Sequence, residues 1–358
     1  MPILIFFTFF LITIIAYCFF KRETPQFFFM RVFRKLTLKK KRNFSPHLNI
    51  GAIDRVKKLK IKNFKSISSI RKLYGIEHTN ILNKSFKNKF FVIKEIKKSN
   101  KIIQKLIFKS FDNVEIISFR IFEARNKKNI DDLIPIVFFS GHGSAKDLIF
   151  GKNILDFFID VDFKTFSTYQ SRAAINTCNT NNCVYVMENR GMGYMEHLGN
   201  YKEINALYQL SGSSLIGQWI NDGIIFSQII YNQHLKNITL AGISSGALTA
   251  FIVSLFVKNI KTVICQGYLS SFQKSFLGDK SSINSVYMLS SYNFFSLAKF
   301  IKNQNIIFIN GKNDHFSSKI AELEFRKMKK HNPKAKIIFL KPKELGHKFD
   351  VKLIEKFI

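Results

Sequence analysis

Residues 238–257 read ITLAGISSGALTAFIVSLFV. Two textures meet in that stretch. Ile238–Ala241 is a short β-rich run, and Ala247–Val257 is apolar nearly all round. The first reads as a buried strand and the second as a helix enclosed on every side. Between them, Gly242-Ile243-Ser244-Ser245-Gly246 fits G-x-S-x-G. A tight strand-to-helix turn needs glycine at its flanks, because larger side chains clash there. Ser244 would then project above the sheet at a helix start, whose dipole and unbonded N–H groups favour developing negative charge. Gly and Ser are common residues, so the motif alone is weak. The strand before it and the long helix after it give it weight.

Working outward, the same texture repeats. Ile134–Phe139 is an all-apolar run that ends in Ser140-Gly141-His142-Gly143. Cys183–Met187 is another, ending in Asn189-Arg190-Gly191-Met192-Gly193. Thr262–Cys265, Ile306–Ile309 and Ile337–Leu340 complete the set, with helical stretches such as Leu215–Tyr231 among them. Upstream, Ile102–Phe108 and Val114–Phe122 flank Phe111-Asp112-Asn113, which predicts a hairpin. Strands alternating with helices predict an α/β fold with a doubly wound, mostly parallel sheet over residues 101–358.

A serine nucleophile needs a base, and the base needs an orienting acid. On such a sheet the chain order is Ser, then Asp or Glu, then His. Asp314 follows the Ile306–Ile309 run, and His347 follows Ile337–Leu340. The expected triad is therefore Ser244, Asp314 and His347. His315 is a rival base, and Glu188 and Asp222 are rival acids. An oxyanion site needs two aimed backbone donors. The N–H of Ser245 is expected to be one. The other is expected from the turn after Ile134–Phe139, with His142 N–H preferred over Gly143 or Ser144.

Several of these segments carry a family resemblance. Residues 101–358 resemble an α/β-hydrolase, nearest the dienelactone hydrolase, acetyl esterase and prolyl oligopeptidase-like branch. Ser140–Gly143 is similar to the family's His-Gly oxyanion turn, with Ser140 standing where His is usual. Asn189–Gly193 resembles its Arg-Gly-x-Gly turn. Leu215-Ile216-Gly217-Gln218 with Asp222 resembles the helix before the elbow, and Gly267-Tyr268-Leu269 with Phe272 the segment after the next strand. Asp314 and Gly346-His347-Lys348-Phe349 resemble the acid and base loops. The resemblance implies Ser244 as nucleophile, His347 as base and Asp314 as acid. One departure is the stretch of about 40 residues from Gly143 to Cys183, which predicts an insertion over the pocket at Phe157–Asn182.

Composition bounds the rest. The chain has 358 residues, 46% of them hydrophobic, with only four Cys and no CxxC or Cys/His ligand cluster. That excludes a disulfide framework and a zinc-ribbon type of domain. No metal or organic cofactor is expected. The 56 Lys and Arg against 24 Asp and Glu give a net charge of +32. No nucleic-acid module accompanies the charge, so no nucleic-acid partner is expected. The excess is densest in residues 1–100, with 23 basic and 4 acidic side chains.

Pro2–Phe20 is uncharged, and nineteen residues at ~1.5 Å each could cross a bilayer core. The expected domains are a transmembrane anchor at 1–20, a basic juxtamembrane arm at 21–100 and the catalytic domain at 101–358. Basic residues flank only the C-terminal side of the run, so a single-pass protein with a cytoplasmic catalytic domain is expected. The same flank would lie on anionic headgroups. The expected function is a membrane-anchored serine hydrolase of small-molecule or lipid-like carboxylic esters. A prolyl oligopeptidase-like peptidase and a catalytically inactive binding protein are the alternatives.

Overall fold

The apolar runs become the interior of one large sheet. The computed structural model describes residues 62–76, 89–125, 129–150, 168–170, 172–199, 201–267, 292–312, 314, 321–343 and 345–358. Among these, the sheet strands are β1 (Phe91–Lys98), β2 (Lys101–Lys109), β3 (Glu115–Glu123), β4 (Ile134–Phe139), β5 (Asn182–Met187), β6 (Ile238–Ile243), β7 (Ile260–Gln266), β8 (Asn305–Ile309) and β9 (Lys336–Leu340). Their spatial order is β9-β8-β7-β6-β4-β5-β3-β2-β1. From β9 to β5 every pairing is parallel. From β5 to β1 every pairing is antiparallel.

Helices α1 (Ile67–Tyr74), α2 (Ala145–Ile149), α3 (Ala173–Thr177), α4 (Tyr201–Leu210), α5 (Leu215–His234), α6 (Ser245–Phe256), α7 (Ala321–His331) and α8 (Val351–Glu355) accompany the sheet. The strand period of two sends alternate side chains to opposite faces. Val137, Phe139, Tyr185, Leu240 and Val263 join Trp219, Phe226 and Phe251 of α5 and α6 in one core. Ile136, Phe138, Val184, Ala241 and Ile264 join Leu148, Ala173, Phe349 and Ile354 in the other. Every residue of α6 is buried, which is why its sequence shows no polar face.

Register decides where chemistry can occur. Phe139 pairs with Met187 and with Gly242. Ile243 pairs with Gln266, Gln266 with Ile309, and Ile309 with Leu340. The C-terminal ends of six strands therefore line up at one edge, and the loops that leave them share one surface.

Two elements arise where no motif was read. β1 lies at the end of the sheet, and all eight of its residues are exposed, so it has no buried face to produce alternation. Helix α1 is a single amphipathic stretch. Ser66 caps it in a reciprocal box with Ser69, and Gly75 closes it in the left-handed region at φ 64°.

The expected N-terminal transmembrane helix requires correction. Among the described residues no helix is long and apolar enough to cross a membrane. Even α5, at 20 residues, spends its apolar surface against the sheet and α6. Pro2–Phe20 itself lies outside the described residues. The membrane anchor, the membrane partnership and the single-pass cytoplasmic topology are withdrawn with it, as is the hint toward lipid-like substrates.

Candidate active site

Ser244 follows β6 directly and opens α6. Its backbone sits at φ 57°, ψ −124°, a strained conformation for a residue with a side chain. Crowding explains the flanking glycines. A Cβ on Gly242 would lie 2.1 Å from the carbonyl oxygen of Gly246, and one on Gly246 would lie 2.3 Å from that of Phe139. Ser245 occupies the first position of α6, where a backbone N–H has no intrahelical acceptor.

Asp314 and His347 meet. His347 Nδ1 lies 2.9 Å from Asp314 Oδ2 and 3.0 Å from Oδ1, with both side chains buried. A nitrogen facing two carboxylate oxygens carries the proton, which leaves Nε2 as the basic nitrogen. The elbow reaches this pair through Gln266 and Gly267. Ser244 N–H donates to the Gln266 carbonyl at 2.9 Å. The Gln266 side chain donates to the Lys348 carbonyl and accepts from Asp350 N–H at 3.1 Å. A Cβ on the next residue, Gly267, would fall 2.8 Å from His347 Cε1 and 3.0 Å from Asp314 Oδ2. Ser244 Oγ forms no hydrogen bond to His347 in this structure; such contacts are commonly long before substrate binds. His315 lies outside the described residues.

The rival acids stand elsewhere. Asp222 accepts from Arg190 Nε at 2.7 Å and from Ser110 Oγ at 2.5 Å. Arg190 also donates to both oxygens of Asp112 and to the Tyr208 hydroxyl. Burial opposes the Arg190 charge, but Asp222 and Asp112 outweigh it and hold the guanidinium protonated. This cluster fixes the hairpin between β2 and β3 to the Arg190 turn and to α5.

Glu188 lies under the Ser140–Ser144 turn. Its carboxyl accepts from Ala145 N–H and Ser144 Oγ, each at 2.9 Å, and from Tyr194 N–H at 3.3 Å. Complete burial pushes its pKa up to about 8, against the pull of those donors.

The turn after β4 is held by side chains that sequence reasoning did not assign. Asn189 Nδ2 donates to Ser140 Oγ at 2.9 Å and to the Ser140 carbonyl at 3.1 Å. Ser140 thus has a bracing partner in Asn189. Gln170 accepts from Gly141 N–H at 3.1 Å and donates to the Ser144 carbonyl at 3.2 Å. Gly143 N–H donates to the Gly141 carbonyl at 3.0 Å. Gly141 and Gly143 are thereby both engaged within the braced turn. The His142 ring packs edge-on against Tyr201, centroids 4.5 Å apart. Asn189 could have been found from its place beside the Arg-Gly turn. Gln170 carries no sequence signal, because its role depends on a contact 29 residues away.

Cys178, Cys183 and Cys265 are buried and free, and Cys183 is pushed up to about 12 by burial, so none offers a ready thiolate. Among the described residues no group of three or more His, Cys, Asp or Glu is placed to hold a metal.

Neither a family model nor a curated protein matches the chain in sequence. Solved structures do match in shape. A Bacteroides fragilis protein named as a candidate acetyl xylan esterase superimposes with a TM-score of 0.61 at 13% identity, over 86% of this chain and 92% of that one. Acetyl xylan esterase 1 from a Thermoanaerobacterium species gives 0.56 at 15% identity, over 85% and 96%. An acetyl xylan esterase from a Paenibacillus species gives 0.51 at 11% identity, over 85% and 96%. At such identities the likeness is one of fold. With this strand order, and Ser244 at the turn from β6 into α6, the chain has the α/β-hydrolase fold.

Proposed function

We propose that the protein is a serine hydrolase that cleaves small-molecule carboxylic esters, with Ser244, His347 and Asp314 as its triad. The observation that carries this reading is the buried Asp314–His347 pair beside a strained serine elbow at the same edge of the sheet. Asp314 holds the Nδ1–H tautomer and supports the imidazolium that forms. His347 Nε2 takes the Ser244 proton as Oγ attacks the acyl carbon. The tetrahedral oxyanion is received by the N–H groups of Ser245 and His142. Collapse expels the alcohol, protonated by His347, and water repeats the sequence to release the acid.

The test is turnover of p-nitrophenyl acetate together with labelling by a fluorophosphonate probe. Ser244→Ala is expected to abolish both, and His347→Ala nearly so. Asp314→Asn should lower kcat by up to about 10⁴-fold through the wrong tautomer. The three losses should not add, because the residues act as one unit. Full esterase activity in purified Ser244→Ala protein would sink the reading.

A further inference from the structure

The segment after the expected oxyanion turn reads in sequence as a cover over the pocket. Its described residues do something more specific. Gln170, with no exposed surface, closes a bridge across the turn: its amide oxygen takes Gly141 N–H and its amide nitrogen donates to the Ser144 carbonyl. Those two groups bracket the backbone that contains His142 N–H. One planar amide satisfies both ends at once, which requires an acceptor and a donor on the same group. Neighbouring Tyr169 reaches both halves of the site, and its hydroxyl lies 2.4 Å from where a Cβ on Gly141 would stand. Its ring lies 5.0 Å from the His347 ring, and its carbonyl accepts Phe349 N–H at 3.0 Å.

Resting on the serine-hydrolase reading above, we propose that Tyr169 and Gln170 are positioning residues, Gln170 for the oxyanion donor of His142 and Tyr169 for the His347 base loop. Two consecutive side chains of one short segment thereby set the distance between the parts of the site that must act together. The opposite side of the turn is gripped by Asn189 and Glu188, which approach from the end of β5. With the turn held from both sides, its N–H groups can be aimed without help from substrate. A misplacement of about 1 Å at such a site can cost on the order of 10²-fold in rate.

The decisive variant is Gln170→Met in the full chain, which keeps the shape and removes both hydrogen bonds. It is assayed on p-nitrophenyl acetate and on its thionoester, whose sulfur is a weak hydrogen-bond acceptor and gains little from an oxyanion donor. The expected result is a kcat lower by about 10²-fold on the oxygen ester, with KM nearly unchanged, and a much smaller loss on the thionoester. Wild-type kcat, or an equal loss on both substrates, would overturn the proposal. Should Gln170→Met fail to fold, Gln170→Asn keeps a neutral amide that, one methylene shorter, cannot span from Gly141 N–H to the Ser144 carbonyl. It should lose about 10-fold with the same bias toward the oxygen ester, and a loss without that bias would overturn the proposal equally.

Tyr169→Leu should slow ester and thionoester alike, because both reactions need the base. Unchanged kcat in that variant would remove Tyr169 from the assignment. Failure of the underlying reading is distinguishable: the wild type itself would then show no turnover that Ser244→Ala removes.

Discussion

Glu188 is a wholly buried carboxyl. Among the described residues no Lys, Arg or His forms an ion pair with it, and Asp147 nearby adds repulsion. Burial raises its pKa to about 8, while the unfolded chain titrates near ~4.3. The sign follows from proton binding. Between those values the folded state keeps a proton that the unfolded state has lost, so stability falls as pH rises across the window. It is complete below the lower value and levels off above the upper one. Thermal melts from pH 5 to pH 9 should therefore show a decline in Tm that Glu188→Gln flattens. Parallel curves for the two proteins would show that burial does not perturb this carboxyl. The sequence placed Glu188 correctly at a strand end and considered it as a rival acid. Its real partners, Ser144 and Ala145, become neighbours only once β4 and β5 pair. Asp314 and His347 were legible because chain order and a preceding strand are local signals. Gln170 was not, since nothing local marks it.

The elbow joins two elements whose backbones nearly touch. A Cβ on Gly246 would meet the Phe139 carbonyl at 2.3 Å and that of Ser140 at 2.5 Å. Neither obstacle is a movable side chain tip. Gly246→Ala should push α6 away from the end of β4, destabilise the fold by about 1–3 kcal/mol and slow any Ser244-dependent turnover. Urea unfolding and kcat would each report it, and a variant equal to wild type in both would refute the close packing. The central strands could be read because parallel strands buried on both faces are continuous apolar runs. β1 could not. Its sequence FVIKEIKK has half-exposed Phe91, Val92 and Ile93 on an open edge, among Lys94, Lys97 and Lys98. Lysines on such an edge discourage another chain from adding to it. That makes β1 resemble a linker when only its letters are seen.

On the scale of the whole molecule, residues 62–76 wrap against the body. Lys62–Asn63 pair in parallel with Tyr292–Asn293, and Phe64 N–H donates to Ser296 Oγ at 2.8 Å. Asn221 of α5 donates to the Gly75 carbonyl at 3.2 Å. Phe64, Ile70 and Tyr74 are wholly buried by this contact. Tyr74→Ala should cost about 3–5 kcal/mol in chemical denaturation, the scale for emptying an aromatic site in a core. A loss within the error of the measurement would mean that the segment is dispensable. Nothing local in the Lys-rich arm announces this clamp, because its hydrogen-bonded anchors lie 146 and 232 residues away along the chain. The alignment of strand ends has a consequence in time. A ribosome delivers β6 and the Ser244 elbow well before β8, β9 and the loops that bear Asp314 and His347. Parallel strands also pair late, since long stretches of chain must close before they are rewarded. The nascent protein thus passes through a period in which Ser244 is already made but Asp314 and His347 are not yet beside it. If Ser244, Asp314 and His347 act as the proposed triad, hydrolysis begins only when the last strand docks, and the topology that brings those three together also delays them until the fold is finished.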